Sequence, residues 1–342
     1  MLVVRPIKPQ DYAALYRCAV ESGHGFTSLP VDEDLLRRRI ARAQEAFARE
    51  QVSEPGDEGY LFVMEETDTG EVVGCSAIEA AVGLSDAFYH YRLGTVTHHS
   101  KELDIYNALE TLTLCNDYTG FSELCTLFLR EPFRKNMNGR VLSRFRMLFM
   151  AEFRNRFSEV AIAEMRGVSD ENGQSPFWGW LQQHFFSMDF TQADYLTGIG
   201  EKTFVAELMP QLPIYVKLLP PEAQAVIGQV HDNTRPALKM LQSEGFRCRG
   251  YVDIFDAGPT VEAEVSNIKS VRESKRLPIK IGDVAKEQSR FIVCNTQVAN
   301  FRAAQARLEL ADDHVVLDAK TAAALQVQNG DNVRFVTLTG AN

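Results

Sequence analysis

Residues 123–145, ELCTLFLREPFRKNMNGRVLSRF, combine the residue types best suited to binding chemistry. An apolar run of strand length leads into a loop carrying Pro132, Arg134, Asn138 and Gly139, and a helical pattern begins at once. Backbone N–H groups converge where such a loop enters a helix, and Arg130, Arg134, Lys135 and Arg140 stand nearby, so the segment suits an anion such as a pyrophosphate. The same pattern also describes a surface turn with solvated charges ahead of a structural helix, and taken alone it is only suggestive. His231 precedes a second helical segment. Its imidazole changes charge near neutrality and can give or take a proton, although a single histidine before a helix is more often a cap or a surface residue. Asp232 and Asn233 beside it are natural caps. Cys125 is a possible nucleophile by residue type, but no neighbour in the sequence would lower its pKa, and it reads as a buried strand thiol. His24, His90, His99, His184 and His314 show no ligand spacing, so no metal is expected.

The elements that must hold these residues follow from patterning. The chain has 342 residues, enough for about two domains. Its 45% apolar and 24% charged content is that of a folded globular protein. With 36 Lys and Arg against 46 Asp and Glu, the net charge of −10 disfavours nucleic acid or an anionic membrane as general partner. Six scattered cysteines without a C-x-x-C pair, and a start without a signal peptide, point to reduced thiols in the cytoplasm. No apolar run approaches the roughly 20 residues that span a bilayer.

LVVRPI reads as a strand, followed by a helix that turns Leu15, Cys18 and Ala19 inward. A second helix from about Asp32 to Arg49 repeats Leu36, Ile40, Ala43 and Phe47 at helical spacing. YLFVMEE and EVVGCSAIEA flank the turn TDTG as a hairpin. Residues 82–121 resist any simple period. ELCTLFL and EVAIAEMRG are strands on either side of the helix RVLSRFRMLFMAEFRNRF, with Val141, Phe145, Leu148, Phe149 and Met150 on one side. Residues 168–230 are irregular, PALKMLQSEGF is a helix stopped at Gly245, and YVDIF is a strand. Residues 266–276 read as a linker to a β-rich tail in which Asn329-Gly330 marks a tight turn.

Pro132 to Gly139 resembles the acyl-CoA loop of the GNAT N-acyltransferase superfamily, with Asn138 where a small residue is common. HDNTRPALKMLQSEGF is similar to that superfamily's later helix, through Asn233, Ala237, Leu241 and Gly245-Phe246. The expected fold is therefore α/β, a GNAT-like mixed central sheet flanked by helices over residues 1–265, with an insertion at about 168–230. A small β-rich, barrel-like domain is expected over 276–342.

Longer words resemble the arginine N-succinyltransferase family: TSLP, AIEAAVGL, ND-x-TG at 116–120, SELCTLFL, AEMRG, SPFW, FFSMDF, AELMP, IGQVH and YVDIFDAGPT. SELCTLFL looks like the single-gene or β type. The resemblance implies transfer of succinyl from succinyl-CoA to the α-amine of L-arginine, the first step of ammonia-producing arginine catabolism. It implies Leu127 at the succinyl-CoA site, Arg134, Asn138 and Gly139 in the loop that holds the cosubstrate, and His231 as proton donor. No permanently bound cofactor is expected. Asp117, Glu123 and Glu164 could meet a guanidinium but read as structural acids. A homo-oligomer or a heteromer with a paralogous subunit is expected, and the alternatives are an ornithine acyltransferase or a non-catalytic acyl-CoA-binding subunit.

Overall fold

A computed structural model of the chain describes residues 1–23, 29–170, 173–188, 192, 193, 195, 196 and 203–338. His24, and Thr27 and Ser28 of the TSLP word, lie outside the described residues. The first half opens with β1 (Leu2–Pro6), α1 (Tyr12–Ser22) and α2 (Glu33–Ala48), followed by the hairpin β2 (Gly59–Glu66) and β3 (Glu71–Glu79). In α2 the apolar stripe Leu36, Ile40, Ala43 and Phe47 is buried, and Asp32 caps its start by accepting the Leu35 N–H at 2.7 Å. The stretch without a readable period contains two 11-residue strands, β4 (His90–Ser100) and β5 (Ile105–Cys115), paired along their whole length. Most of their residues are exposed, and a ribbon wet on both faces has no reason to alternate apolar with polar side chains.

β6 (Ser122–Leu129), α3 (Asn138–Glu152) and β7 (Val160–Glu164) follow. α3 was expected to bury one side, yet every residue from Val141 to Met150 is buried, Arg144 and Arg146 included. The reason is tertiary: α3 packs on β3 and β6 and also on strands from the C-terminal segment. The irregular stretch supplies α4 (Pro176–Leu181), α5 (Thr203–Leu208), β8 (Ile214–Tyr215) and α6 (Pro221–Val226). Phe177, Trp178 and Leu181 there form a separate hydrophobic cluster with Tyr91, Leu112 and Val252. Then come α7 (Arg235–Glu244), ended by Gly245 at φ +106°, and the strands β9 (Arg247–Val252) and β10 (Pro259–Glu264).

The expected linker is instead the short helix α8 (Lys269–Glu273), with Ser270 fully buried against α3 and α7. Its charge pattern misled because the lysines and arginines stay outside while Ser270, Val271 and Ile268 pack inward. The tail holds β11 (Lys275–Ile281), β12 (Arg290–Asn295), β13 (Ala303–Arg307), β14 (Glu309–Leu310), β15 (Val315–Leu317), α9 (Ala319–Leu325) and β16 (Asn332–Thr337). Among the described residues one mixed sheet runs β14-β15-β11-β16-β12-β13-β1-β2-β3-β6-β7-β10-β9-β4-β5-β8. The tail joins it by pairing β13 with β1, Val4 opposite Ala303, and Val3 shares a hydrophobic cluster with the tail. The α/β class with a mixed sheet flanked by helices is as expected. Among the described residues no helix is long and apolar enough to cross a membrane.

Candidate active site

β6 and β7 run parallel and pair only at Ser122–Ala161 and Glu123–Ile162. Beyond that point they part. On its other edge β6 pairs with β3 through a shift in register: Ala77 opposes Cys125, Cys75 opposes Phe128, and Thr126 sits at φ +55°. One extra residue on β6 is a β-bulge, which bends the strand and turns its backbone away from β7. Thr126 is held in this uncommon conformation by burial and by the Arg39 guanidinium, which donates to its Oγ1 at 3.1 Å. The gap between the strands is a cavity of about 1,070 Å³, lined by Glu123–Leu129 of β6 and by Ala163–Arg166 at the end of β7. Leu127 lies one residue past the bulge. Its half-buried side chain also packs against the main core.

The loop after β6 forms one end of this cavity. Asn136 and Met137 both have positive φ, at +52° and +64°, and turn the chain sharply into the first turn of α3. Arg134 Nε donates to the Leu129 carbonyl at 2.7 Å and Asn138 Nδ2 to the Phe133 carbonyl at 2.9 Å, bracing the loop from within. Arg130 is committed to Glu21 and Glu71. Arg134 lies over the Phe128 ring, 5.7 Å from its centroid. A Cβ built on Gly139 would meet nothing within 4 Å, so this side of the helix start opens on empty space. First-turn N–H groups lack carbonyls a turn earlier and carry the positive end of the helix dipole. The arrangement can therefore hold an anion with basic side chains and backbone together. Leu127, Arg134, Asn138 and Gly139 all line the one cavity.

His231 is placed differently. Its neighbours Asn233 and Thr234 line the cavity wall formed by α7, and Arg166, whose carbonyl accepts the His231 N–H at 3.0 Å, lines it too. His231 itself is not among the described residues that line the cavity; it caps the short turn Asp232–Thr234. Its Nδ1 accepts the Asn233 N–H at 3.2 Å, so the neutral ring carries its proton on Nε2. Burial, assisted by the Arg166 charge, holds the imidazole below its ordinary pKa. The ring is thus a neutral Nε2–H donor at neutral pH.

Acidic groups gather along β7 and the loop after β9. Glu164 lines the cavity with its Oε1 2.8 Å from Nε2 of the fully buried His90. Asp253 and Asp256 line it as well. Asp256 accepts the N–H groups of Gly167 and Gly258 at 2.6 and 2.8 Å, and burial beside Asp253 pushes its carboxyl far up. A Cβ on Gly258 would fall 2.1 Å from the Met165 carbonyl, so only glycine allows this loop to close on the end of β7. A cavity basic at the α3 end and acidic at the β7 end can hold an anionic ligand and an amine together.

The sequence profile described as "Arginine N-succinyltransferase beta subunit" matches residues 2–270, and that of its C-terminal domain matches residues 275–337. The chain belongs to the arginine N-succinyltransferase family. Among relatives named arginine N-succinyltransferase, those of Enterobacter sp. and Citrobacter koseri are each 50% identical over 339 residues, covering 99% of this chain and 98% of theirs. The solved structure of arginine/ornithine succinyltransferase subunit AI from Pseudomonas aeruginosa superposes with a TM-score of 0.92 at 39% identity, covering 99% of both chains. Sequence reading of this arginine N-succinyltransferase family member missed the Thr126 bulge, the buried His90 beside Glu164, and the cavity-facing loop from Asp253 to Gly258. The only local hint was ND-x-TG and YVDIFDAGPT themselves, whose turns bring Tyr251 to Asp117, Oη to Oδ2, at 2.8 Å. Arg146, within the expected helix, was not singled out.

Proposed function

We propose that this chain transfers the succinyl group of succinyl-CoA to the α-amine of L-arginine, giving N2-succinyl-L-arginine and CoA in the cytoplasm, without a covalent enzyme adduct. The observation that carries the reading is the cavity between the parted strands β6 and β7, with the basic start of α3 at one end and the acidic end of β7 along its wall. Succinyl-CoA would lay its pyrophosphate on Arg134, Asn138 and Gly139 and its thioester on the backbone at Leu127. The arginine nitrogen, once uncharged, attacks the thioester carbon. The tetrahedral intermediate then expels the CoA thiolate, and the proton that the nitrogen sheds on forming the amide ends on that sulfur. His231 would act as donor to that sulfur, its Nε2–H hydrogen-bonding the departing thiolate while the proton passes from the nitrogen, so that the ring stays neutral throughout. Residues 1–265, with the insertion at about 168–230, would be the transferase unit. Residues 276–342 would be a small β-rich domain that braces α3.

The test is thiol release from succinyl-CoA by the purified chain, with and without L-arginine, with acetyl-CoA and ornithine in parallel. Release that needs arginine and favours the succinyl donor supports the reading; release with ornithine alone overturns the acceptor. A second reading rests on the words "beta subunit" in the matching profile and "subunit AI" in the Pseudomonas relative. On that reading the chain works in a heteromer with a paralogous subunit, as a non-catalytic acyl-CoA binder or as an acyltransferase that also takes ornithine. The alternative to both is a homo-oligomer. Native mass, and activity of the chain alone, separate them.

A further inference from the structure

Arg146 is 1% exposed and forms part of the cavity floor. Its guanidinium bonds only to neutral oxygens: Nε donates to the Ser143 carbonyl at 3.0 Å, one terminal nitrogen to Ser143 Oγ at 3.2 Å, and the other to the carbonyls of Cys125 and Ala77 at 3.3 and 3.5 Å. Among the described residues no carboxylate lies within ion-pair distance of it, whereas Arg144 of the same helix is paired with Glu244. Glu123 acts on it only through longer-range attraction, and a buried cation with no carboxylate in contact is costly, so proteins retain one where something else supplies the anion. Burial pulls this guanidinium down to about 10, which leaves it charged at neutral pH.

Its position says which anion. The Cys125 carbonyl that it touches is two residues before Leu127 across the bulge at Thr126, and two residues span at most about 7 Å. An acyl chain with its thioester at Leu127 needs a reach of roughly that order to bring a terminal carboxylate to the floor, and a four-carbon diacid has it. We propose that Arg146 binds the free carboxylate of the donor's acyl group and thereby selects a dicarboxylic acyl-CoA over a monocarboxylic one. This rests on the acyl-transfer reading of the same cavity. Arg146 also ties down the carbonyls at the bulge, so a purely structural role must be distinguished from recognition.

Succinyl-CoA and butyryl-CoA, which differ in the carboxylate alone, make the distinction. Their affinities for wild type, Arg146→Met and Arg146→Lys are measured by calorimetry, and their transfer to arginine by thiol release. Arg146→Met is expected to weaken succinyl-CoA binding about 100-fold and to move butyryl-CoA by less than about threefold, while Arg146→Lys keeps part of the preference. An equal loss for both donors would reduce Arg146 to a brace for the bulge. An unchanged ratio of the two affinities in Arg146→Met would equally overturn the proposal. Wild type that binds both donors with the expected preference but transfers neither would instead refute the proposed function and leave the recognition standing.

Discussion

Arg144 of α3 and Glu244 at the end of α7 form a buried ion pair, Nε to Oε1 at 2.7 Å, with both side chains under a tenth exposed. Glu244 also accepts the Ser270 N–H at 2.7 Å, and Arg144 reaches Ser270 Oγ at 3.0 Å and the Thr337 carbonyl at 3.2 Å. One pair thus fastens the helix that opens the cavity to the helix that walls it, to α8 and to the last strand of the tail. Glu244→Gln leaves a buried guanidinium without its partner and should cost about 3–5 kcal/mol. Urea unfolding checks this, and a midpoint equal to that of wild type would contradict it.

Gly139 tests the anion site. Because a Cβ there meets nothing within 4 Å, Gly139→Val should fold with a melting temperature close to wild type. The same side chain projects into the space proposed for the pyrophosphate, so succinyl-CoA affinity should fall about tenfold or more, near 1.4 kcal/mol per factor of ten. Calorimetry and thermal melting together decide it; loss of stability without loss of affinity would place the anion elsewhere.

His231 tests proton transfer. His231→Ala should lower kcat about 100-fold while sparing succinyl-CoA binding. The folded state holds this imidazole below its ordinary pKa through burial and Arg166, so the native fold favours the neutral ring. Its contribution to stability is therefore complete above the ordinary imidazole range and is lost as pH falls through that range. Activity should share this sign, because protonating Nδ1 breaks the bond from Asn233 N–H. A kcat/KM profile whose acid limb persists in His231→Ala would assign that limb to another group.

Cys125 lines the cavity, yet burial and the charges of Glu123 and Glu79 push its thiol far up, so the nucleophilic thiolate is suppressed. Cys125→Ala should keep kcat within about threefold. Rapid mixing with succinyl-CoA in the absence of arginine should release no burst of CoA; a burst equal to the enzyme concentration would establish an acyl-enzyme.

Much of this protein is written in its local patterns. The stripe Leu36, Ile40, Ala43 and Phe47 specified α2, runs of β-forming residues on either side of a glycine-containing turn specified β2 and β3, and Gly245 marked the end of α7. The strand, loop and helix from Ser122 to Glu152 were legible as an anion-binding unit only in outline, as was the acyl-transfer family through its long words. These signals are readable because they arise between residues a few positions apart, where helical period, strand alternation and turn chemistry act directly.

What the tertiary structure decided is of another kind. The bulge at Thr126 depends on register against β3, and the parting of β6 from β7 depends on a partner almost 40 residues away, neither of which leaves a mark on the strand's own composition. α3 is buried on all sides because the tail folds back across it, so Arg144 and Arg146, alike in sequence, differ in fate: one meets Glu244 and the other only neutral oxygens. Local propensity sets which elements form. The charge balance of a buried group is the sum over neighbours that distant segments supply, and that sum exists only once the chain has folded.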